Sequence, residues 1–177
     1  TVRGYEDVGV SAIQLEDQEF PKKCGHTPNR RVVPMADMVK KIEVAVDSRR
    51  SDDFLIIART DARTSLGLDE AIRRAKAYAA AGADVLYAPG LRTAEEVLAV
   101  VRAVAPKPVN VLMSGGLKLT VQELQEMGVR RISTGSALAL AAFGEFYRAA
   151  EEIQQSGTFG FTSQSMPYAR ANQFFKG

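Results

Sequence analysis

Short, nearly continuous apolar runs alternate along the chain with longer segments in which apolar residues recur every three or four positions. Runs of Val, Ile and Leu are typical of parallel strands that are covered on both faces. Gly9, Gly82 and Gly128 each precede such a run, at points where a left-handed helix end favours a residue without a side chain. The runs predict five strands, at about 11–16, 54–59, 84–87, 109–112 and 130–133.

Helix-like segments fill the intervals between the predicted strands. Thr93 with Glu96, and Thr120 with Glu123, have the spacing of a capping box, which marks the start of a helix. Strand and helix alternate at roughly 20 to 45 residues per unit, which indicates parallel strands joined by right-handed crossovers. Helical spacing predicts helices at 35–49, 68–82, 93–104, 120–128, 137–157 and 166–175, and "TVRGYEDVG" has the pattern of the end of another.

Two architectures fit this alternation, an open doubly wound sheet and a (β/α)₈ TIM barrel. The open sheet needs a glycine-rich phosphate turn after its first strand, whereas "EDQEFPKKCGH" follows that strand here. A complete barrel takes about 250 residues, and the sequence has 177. We therefore predict the last five strand–helix units of a (β/α)₈ barrel, within a protein of about 280 residues. Residues 1–157 would form this part of the barrel, and 158–177 a helical tail.

Composition and charge mainly exclude certain kinds of partner and of structure. The 23 basic and 21 acidic residues nearly balance, and the pairs Arg49-Arg50, Arg73-Arg74 and Arg130-Arg131 are scattered. We therefore interpret these pairs as solvated faces or helix ends and expect no nucleic-acid partner. A single cysteine excludes an intramolecular disulfide. No apolar run reaches membrane-spanning length and no signal-peptide pattern begins the sequence, so we expect a cytoplasmic protein without a membrane partner.

Candidate catalytic residues follow the predicted strands, because active sites of parallel barrels lie at the carboxyl ends of the strands. Glu16 and Asp17 end the first strand, where alternation allows only one of them to point to the barrel axis. That carboxylate would either serve a hard cation such as Mg²⁺ or pair with a neighbouring lysine. Arg59 ends the second strand, where it would either grip a carboxylate or form an ion pair with Asp61 or Glu16.

Cys24 lies in a polar loop that prolines flank. Lys22, Lys23 and His26 surround it, and Gly25 permits close approach of the backbone to a ligand. Neighbouring cations favour the thiolate, which makes a thiol available for proton transfer or nucleophilic attack. A lone cysteine is, however, more often a small buried apolar residue. The polar loop favours the functional interpretation.

The motifs "LEDQ", "KKCGH" and "FLIIARTDAR" occur in an order that resembles the isocitrate lyase / phosphoenolpyruvate mutase superfamily, over about residues 1–155. "CGHTPNR" is most similar to the methylisocitrate lyase branch. The resemblance implies a barrel enzyme that binds Mg²⁺, or Mn²⁺, and breaks a carbon–carbon bond of a (methyl)isocitrate-like di- or tricarboxylate through an enolate. It also implies that the main magnesium aspartates and the general base lie on earlier strands of the full protein.

The same resemblance assigns roles to individual residues. Cys24 would be the general acid on a gating loop, and Arg59 would hold a substrate carboxylate. Glu16 would serve the magnesium ion through water. Further substrate contacts would come from Lys22, Lys23, Gly25, His26 and Asn110.

Two strand ends depart from the methylisocitrate lyase pattern. Pro89 stands where a glutamate is expected, and the asparagine expected near Leu112 lies two residues earlier, at Asn110. These differences leave open an oxaloacetate decarboxylase or a carbon–phosphorus bond enzyme of the same superfamily. A non-catalytic fragment or scaffold is a further alternative. The resemblance implies a homodimer or homotetramer with exchanged C-terminal helices, so residues 166–175 would either bind a partner subunit or cap their own barrel.

Overall fold

The structure is a computed structural model that describes residues 1–24, 29–113 and 116–175. One sheet of five parallel strands forms its centre, and the strands lie in sequence order. Each strand begins and ends within one residue of the bounds that the apolar runs predict. The strands are β1 (Ala12–Glu16), β2 (Leu55–Arg59), β3 (Val85–Tyr87), β4 (Val109–Leu112) and β5 (Arg131–Ser133).

This strand order distinguishes the two architectures. A doubly wound sheet reverses its direction of growth at a switch point. Here each new strand pairs in parallel with the one before it and extends the same edge. That is the order of a barrel segment, and the prediction of a partial (β/α)₈ barrel is confirmed.

Helices connect the strands at the predicted places. Thr120 and Glu123 form the complete capping box, whereas the Glu96 carboxylate binds Arg63 and the backbone N–H of Arg92 instead of completing its own box. Residues 62–66 form a helix that was not predicted, because five residues are too few to show a helical period. The helices are α1 (Val2–Asp7), α2 (Met35–Ser48), α3 (Ala62–Leu66), α4 (Leu68–Ala80), α5 (Ala94–Val104), α6 (Val121–Glu126), α7 (Ala137–Ser156) and α8 (Tyr168–Ala171), with 3₁₀ turns at Gly160–Gln164 and Asn172–Phe175.

The two faces of the sheet have different chemistry. One face packs against the helices in an apolar core that includes Met38, Tyr78, Leu86, Val109 and Val111. On the opposite face, polar side chains follow one another across all five strands. In-register neighbours point to the same side of a sheet, so these side chains form a single row, which we call the polar row: Glu16, Arg59, Tyr87, Asn110 and Arg131.

The chain divides into two compact units, residues 1–135 and 136–177. In the second unit, the Glu152 carboxylate at the end of α7 accepts hydrogen bonds from Thr158, Gly160 and Phe161 and so fixes the turn that follows. The predicted division after residue 157 stays a prediction. Among the helices that the structure describes, none is long and apolar enough to cross a membrane.

Candidate functional site

Glu16 and Arg59 meet at the carboxyl ends of β1 and β2. Arg59 Nη1 lies 3.2 Å from Glu16 Oε2, and Arg59 Nη2 lies 2.9 Å from Asp61 Oδ1. Lys22 Nζ, from the loop after β1, lies 3.3 Å from Glu16 Oε1. Both ion pairs that the sequence left open for Arg59 are therefore present together, and so is the lysine pairing of Glu16.

The environment of Arg59 keeps its guanidinium charged and leaves one donor unused. Burial works to lower the pKa of Arg59, but the hydrogen bond and charge of Asp61, with the charge of Glu16, raise it above its ordinary value. The Tyr87 ring lies 5.4 Å from the guanidinium carbon. Arg59 Nε is buried without a hydrogen-bond partner among the described residues. A charged, partly desolvated guanidinium with a free N–H is suited to bind a carboxylate.

Asp17 points away from this cluster and towards the helices. Its side chain is fully buried, and Oδ2 accepts hydrogen bonds from the Tyr78 hydroxyl at 2.7 Å and from Arg74 Nη1 at 3.0 Å. Its Oδ1 accepts from the backbone N–H of Asp61 at 2.9 Å. Burial and the nearby Asp17 charge raise the pKa of Tyr78, which keeps the phenol as a donor. Asp17 thus ties the ends of β1 and β2 to α4, and Glu16 is the carboxylate that faces Arg59.

Residues 19–34 form a loop after β1, which we call the Cys24 loop. The two ends of the loop are held together by a short antiparallel backbone pairing, which we call its base. Gln18 pairs with Val32 in a β-bridge, and the backbone N–H of Val33 donates to the Asp17 carbonyl at 2.8 Å. Cys24 itself is exposed. The base of the loop is therefore fixed next to Glu16, while its thiol remains accessible to a reactant.

Arg30, on the returning arm of the Cys24 loop, joins the same charge cluster. Its Nη1 donates to Asp61 Oδ1 at 2.7 Å and its Nη2 to Thr64 Oγ1 at 2.7 Å. Asp61 Oδ1 is thus shared by Arg30 and Arg59, which links the position of the loop to that of Arg59. Sequence reasoning missed Arg30, because nothing in the sequence distinguishes it from its neighbour Arg31, which is exposed.

Only some of the other residues predicted to contact substrate lie in this cluster. Lys22 lies in the cluster, whereas Lys23 is exposed and donates its backbone N–H to the Gln18 side chain. Gly25 and His26 lie outside the described residues. Asn110 lies in the polar row, two residues before the end of β4.

Asn110 is fully buried, and both ends of its amide are occupied by protein groups. Its Oδ1 accepts from Arg131 Nη1 at 2.9 Å, and its Nδ2 donates to Ser133 Oγ at 3.1 Å. Ser133 also hydrogen-bonds Tyr87. Burial raises the pKa of Tyr87 although Arg59 and that hydrogen bond oppose the shift. The residues Tyr87, Asn110, Arg131 and Ser133 form one connected group, which we call the β5 network.

Glu16 is the candidate carboxylate for Mg²⁺, and its surroundings decide what role it can have. Within residues 1–24, 29–113 and 116–175, no group of three or more His, Cys, Asp or Glu could hold a metal ion. Mg²⁺ prefers six oxygen ligands and usually keeps several waters. These residues therefore do not form a complete ligand set. Glu16 fits a contact to the water shell of an ion, because it is a carboxylate at the strand ends.

Known proteins share sequence with most of this chain. The phosphoenolpyruvate phosphomutase family profile matches residues 1–154. The chain is 45% identical over 130 residues to 2,3-dimethylmalate lyase of Eubacterium barkeri, which covers 72% of this chain and 45% of that protein. It is 39% identical over 160 residues to 2-methylisocitrate lyase of Aeropyrum pernix, covering 89% and 51%. The chain therefore spans about half the length of the curated relatives it matches.

A solved structure extends the similarity beyond the lyases. The structure of phosphonopyruvate hydrolase in complex with oxalate and Mg²⁺ is 29% identical, with a TM-score of 0.75. The match covers 96% of this chain and 60% of that one.

Proposed function

Because the chain belongs to the phosphoenolpyruvate phosphomutase family, we propose that it is part of a Mg²⁺-dependent lyase that cleaves a (methyl)isocitrate-like 2-hydroxy carboxylate. One observation carries this proposal. Lys22, two residues before the accessible thiol of Cys24, pairs with Glu16, which in turn pairs with Arg59. Glu16, Lys22 and Arg59 thus form one cluster, and the proposed proton donor follows Lys22 on the same loop. The names of the two lyase relatives support the same reaction class.

The proposed reaction divides the substrate between two carboxylic acids. A base takes the proton of the 2-hydroxyl, the bond between C2 and C3 breaks, and C2 becomes the carbonyl carbon of a 2-oxo acid. The electron pair of the broken bond passes to C3 and its neighbouring carboxylate as an aci-carboxylate. Mg²⁺, when bound, supplies positive charge that stabilises the developing oxyanion. The thiol of Cys24 then donates a proton to C3, which completes the second carboxylic acid.

Arg59 and the Cys24 loop have separate tasks in this scheme. Arg59 binds a substrate carboxylate through its guanidinium group. The base of the loop is held by the Asp17 carbonyl and its returning arm by the Arg30–Asp61 pair, so closure would move the part of the loop at Cys24 over the strand ends. Closure would place the thiol against C3 and exclude water from the carbanion.

Arg59→Met in the intact protein is expected to lower kcat/KM for the 2-hydroxy acid by about 10- to 100-fold, because a charge-assisted hydrogen bond to the carboxylate is lost. Arg59→Lys should recover part of this loss. Arg73→Met is the matched control, since Arg73 is exposed on α4 and pairs only at the surface with Glu70. Steady-state kinetics on the three variants test this role, and an Arg59→Met enzyme with unchanged kcat/KM would exclude it.

Glu16→Gln is expected to weaken Mg²⁺ binding by about 10- to 100-fold, the usual effect of removing a group that orients the ligands of a metal. The measurement is the Mg²⁺ concentration that gives half of the maximal shift in melting temperature of the intact protein. Asp52→Asn, at an exposed carboxylate, serves as the control. If Glu16→Gln and wild type require the same Mg²⁺ concentration, Glu16 is only the partner of Lys22 and Arg59.

A second candidate function is favoured by the two departures at the strand ends. Pro89 is buried after β3, and Leu112 packs beside Val85 and Tyr87, so apolar groups stand where the lyase pattern expects a carboxylate and an amide. A smaller substrate, as in an oxaloacetate decarboxylase or a carbon–phosphorus bond enzyme, would fit such strand ends. The similarity to phosphonopyruvate hydrolase supports this alternative.

We further propose that the C-terminal helices pack against another subunit of a homodimer or homotetramer. Leu138, Phe143 and Phe146 of α7 are 68–74% exposed within the chain. Large apolar side chains grouped on one helix are typical of an interface between proteins.

A further inference from the structure

Arg131 lies in the polar row together with Arg59. The register Arg59–Tyr87–Asn110–Arg131 places the two arginines on the same face of the sheet and at the same level, three strand steps apart. Neighbouring strands are about 4.8 Å apart, so the two Cα atoms are roughly 14 Å apart along the sheet. The adjacent Arg130 alternates to the opposite face.

Arg131 differs from the other arginines near the site in the kind of group that it contacts. Arg30, Arg59 and Arg74 each pair with a buried carboxylate. Within the part of the chain that the structure describes, no carboxylate lies within ion-pair distance of Arg131. Its guanidinium donates to the Asn110 amide oxygen, 2.9 Å away. An amide orients a guanidinium without neutralising it, so Asn110 leaves the charge of Arg131 uncompensated, and Arg131 is exposed.

The β5 network fixes the direction of this charge. Asn110 is fully buried and donates to Ser133 Oγ at 3.1 Å, and Ser133 also hydrogen-bonds Tyr87. Asn110 therefore presents its oxygen to Arg131 in one orientation. Burying an amide costs free energy unless both of its ends are hydrogen-bonded, so this arrangement indicates a specific role for Asn110.

The departures from the lyase pattern point to the same group. Leu112, at the strand end, packs against Val85 and Tyr87, while the polar contact lies two residues earlier, at Asn110. Two residues of a strand span about 7 Å. The polar side chain of β4 thus lies two residues further from the carboxyl end of the strand than the lyase pattern expects, at the level of Arg59.

We propose that Arg131, oriented by Asn110, binds a second carboxylate of the substrate, distal to the carboxylate that Arg59 holds. This role rests on the proposed binding of a carboxylate by Arg59. Arg131 then determines specificity. An acid long enough to reach both guanidinium groups binds to both, whereas a two-carbon dianion held by Arg59 gains little affinity from Arg131. Substrates with two well-separated carboxylates, or three, are the class selected.

Binding of two probes to the intact protein with Mg²⁺ tests the proposal by isothermal titration calorimetry. Tricarballylate has widely separated carboxylates, and oxalate has two adjacent ones. We expect Arg131→Met to raise the Kd of tricarballylate about tenfold or more and to change that of oxalate less than about twofold. Arg131→Lys should recover part of the affinity. Arg130→Met is the matched control, because it removes the same charge from the other face, and it should change neither Kd.

Two results would overturn this role of Arg131: an unchanged Kd of tricarballylate in Arg131→Met, or an equal loss of affinity for both probes at an unchanged melting temperature. Absence of tricarballylate binding to wild type would overturn it as well. Failure of the proposed lyase function is a separate result. It would show as no cleavage of any 2-hydroxy acid, while the selective effect on tricarballylate binding, which requires no turnover, would persist.

Discussion

Cys24→Ser in the intact protein is expected to lower kcat for carbon–carbon cleavage by about 10²- to 10⁴-fold, the usual contribution of a positioned general acid. Serine keeps the size and the hydrogen-bonding group of the side chain but is a much weaker acid than a thiol. Cys24 is exposed, so the substitution leaves no cavity and should not change the fold. KM should therefore change little, and the loss should appear in kcat.

Single-turnover kinetics and substrate binding on the same preparation separate these effects. Arg31→Met is the matched control on the same loop, because the Arg31 side chain is 81% exposed and its pairing with Glu19 lies at the surface. Exposed pairs of this kind contribute little to stability. Unchanged turnover in Cys24→Ser, or an equal loss in Arg31→Met, would remove Cys24 from the proposed mechanism.

Asp17→Ala is expected to lower the free energy of unfolding by about 3 kcal/mol. The substitution removes the acceptor of Tyr78, of Arg74 and of the Asp61 backbone N–H, all in a buried environment. Breaking one side of a buried ion pair costs about 3–5 kcal/mol. The lower end applies because Arg74 keeps Glu70, at 2.8 Å, as a second partner.

Urea denaturation followed by circular dichroism measures this loss. Asp52→Asn provides the control, since Asp52 is fully exposed and pairs with Arg49 at 3.4 Å. It should change the free energy of unfolding by less than about 0.5 kcal/mol. A loss below about 1 kcal/mol for Asp17→Ala would mean that α4 is held to the strand ends by its apolar contacts alone.

The strands and most helices could be predicted from the sequence because their patterns are local. β2, for example, is a run of apolar residues that ends at a charged one, and its bounds lie within one residue of those predicted. Helix α3 has five residues and could not be detected by a period of 3.6. The positive φ of Gly82 and Gly128 was also predictable, because each glycine ends a helix before a strand.

The candidate site was predictable only in part, because its geometry depends on residues far apart in the chain. Which of Glu16 and Asp17 faces the site is decided by Arg59, Arg74 and Tyr78, which lie 43 to 61 positions after the carboxylate that each one contacts. The residues next to Glu16 and Asp17 in the sequence therefore cannot predict which of the two faces the site. The sequence interpretation of Arg73-Arg74 as a solvated pair was wrong for Arg74, which is buried and pairs with Asp17 and Glu70, whereas Arg130 and Arg131 are both exposed as expected.

The central claim is that this chain belongs to an enzyme that cleaves carbon–carbon bonds in 2-hydroxy acids. It is tested most directly by nuclear magnetic resonance of products formed by the intact protein with Mg²⁺ from 2-methylisocitrate, 2,3-dimethylmalate, oxaloacetate and phosphonopyruvate. We expect Mg²⁺-dependent formation of a 2-oxo acid and a second carboxylic acid from at least one of the two 2-hydroxy acids, slowed by about 10²- to 10⁴-fold in Cys24→Ser. Phosphate release from phosphonopyruvate, or loss of oxaloacetate, with both 2-hydroxy acids left intact, would contradict it.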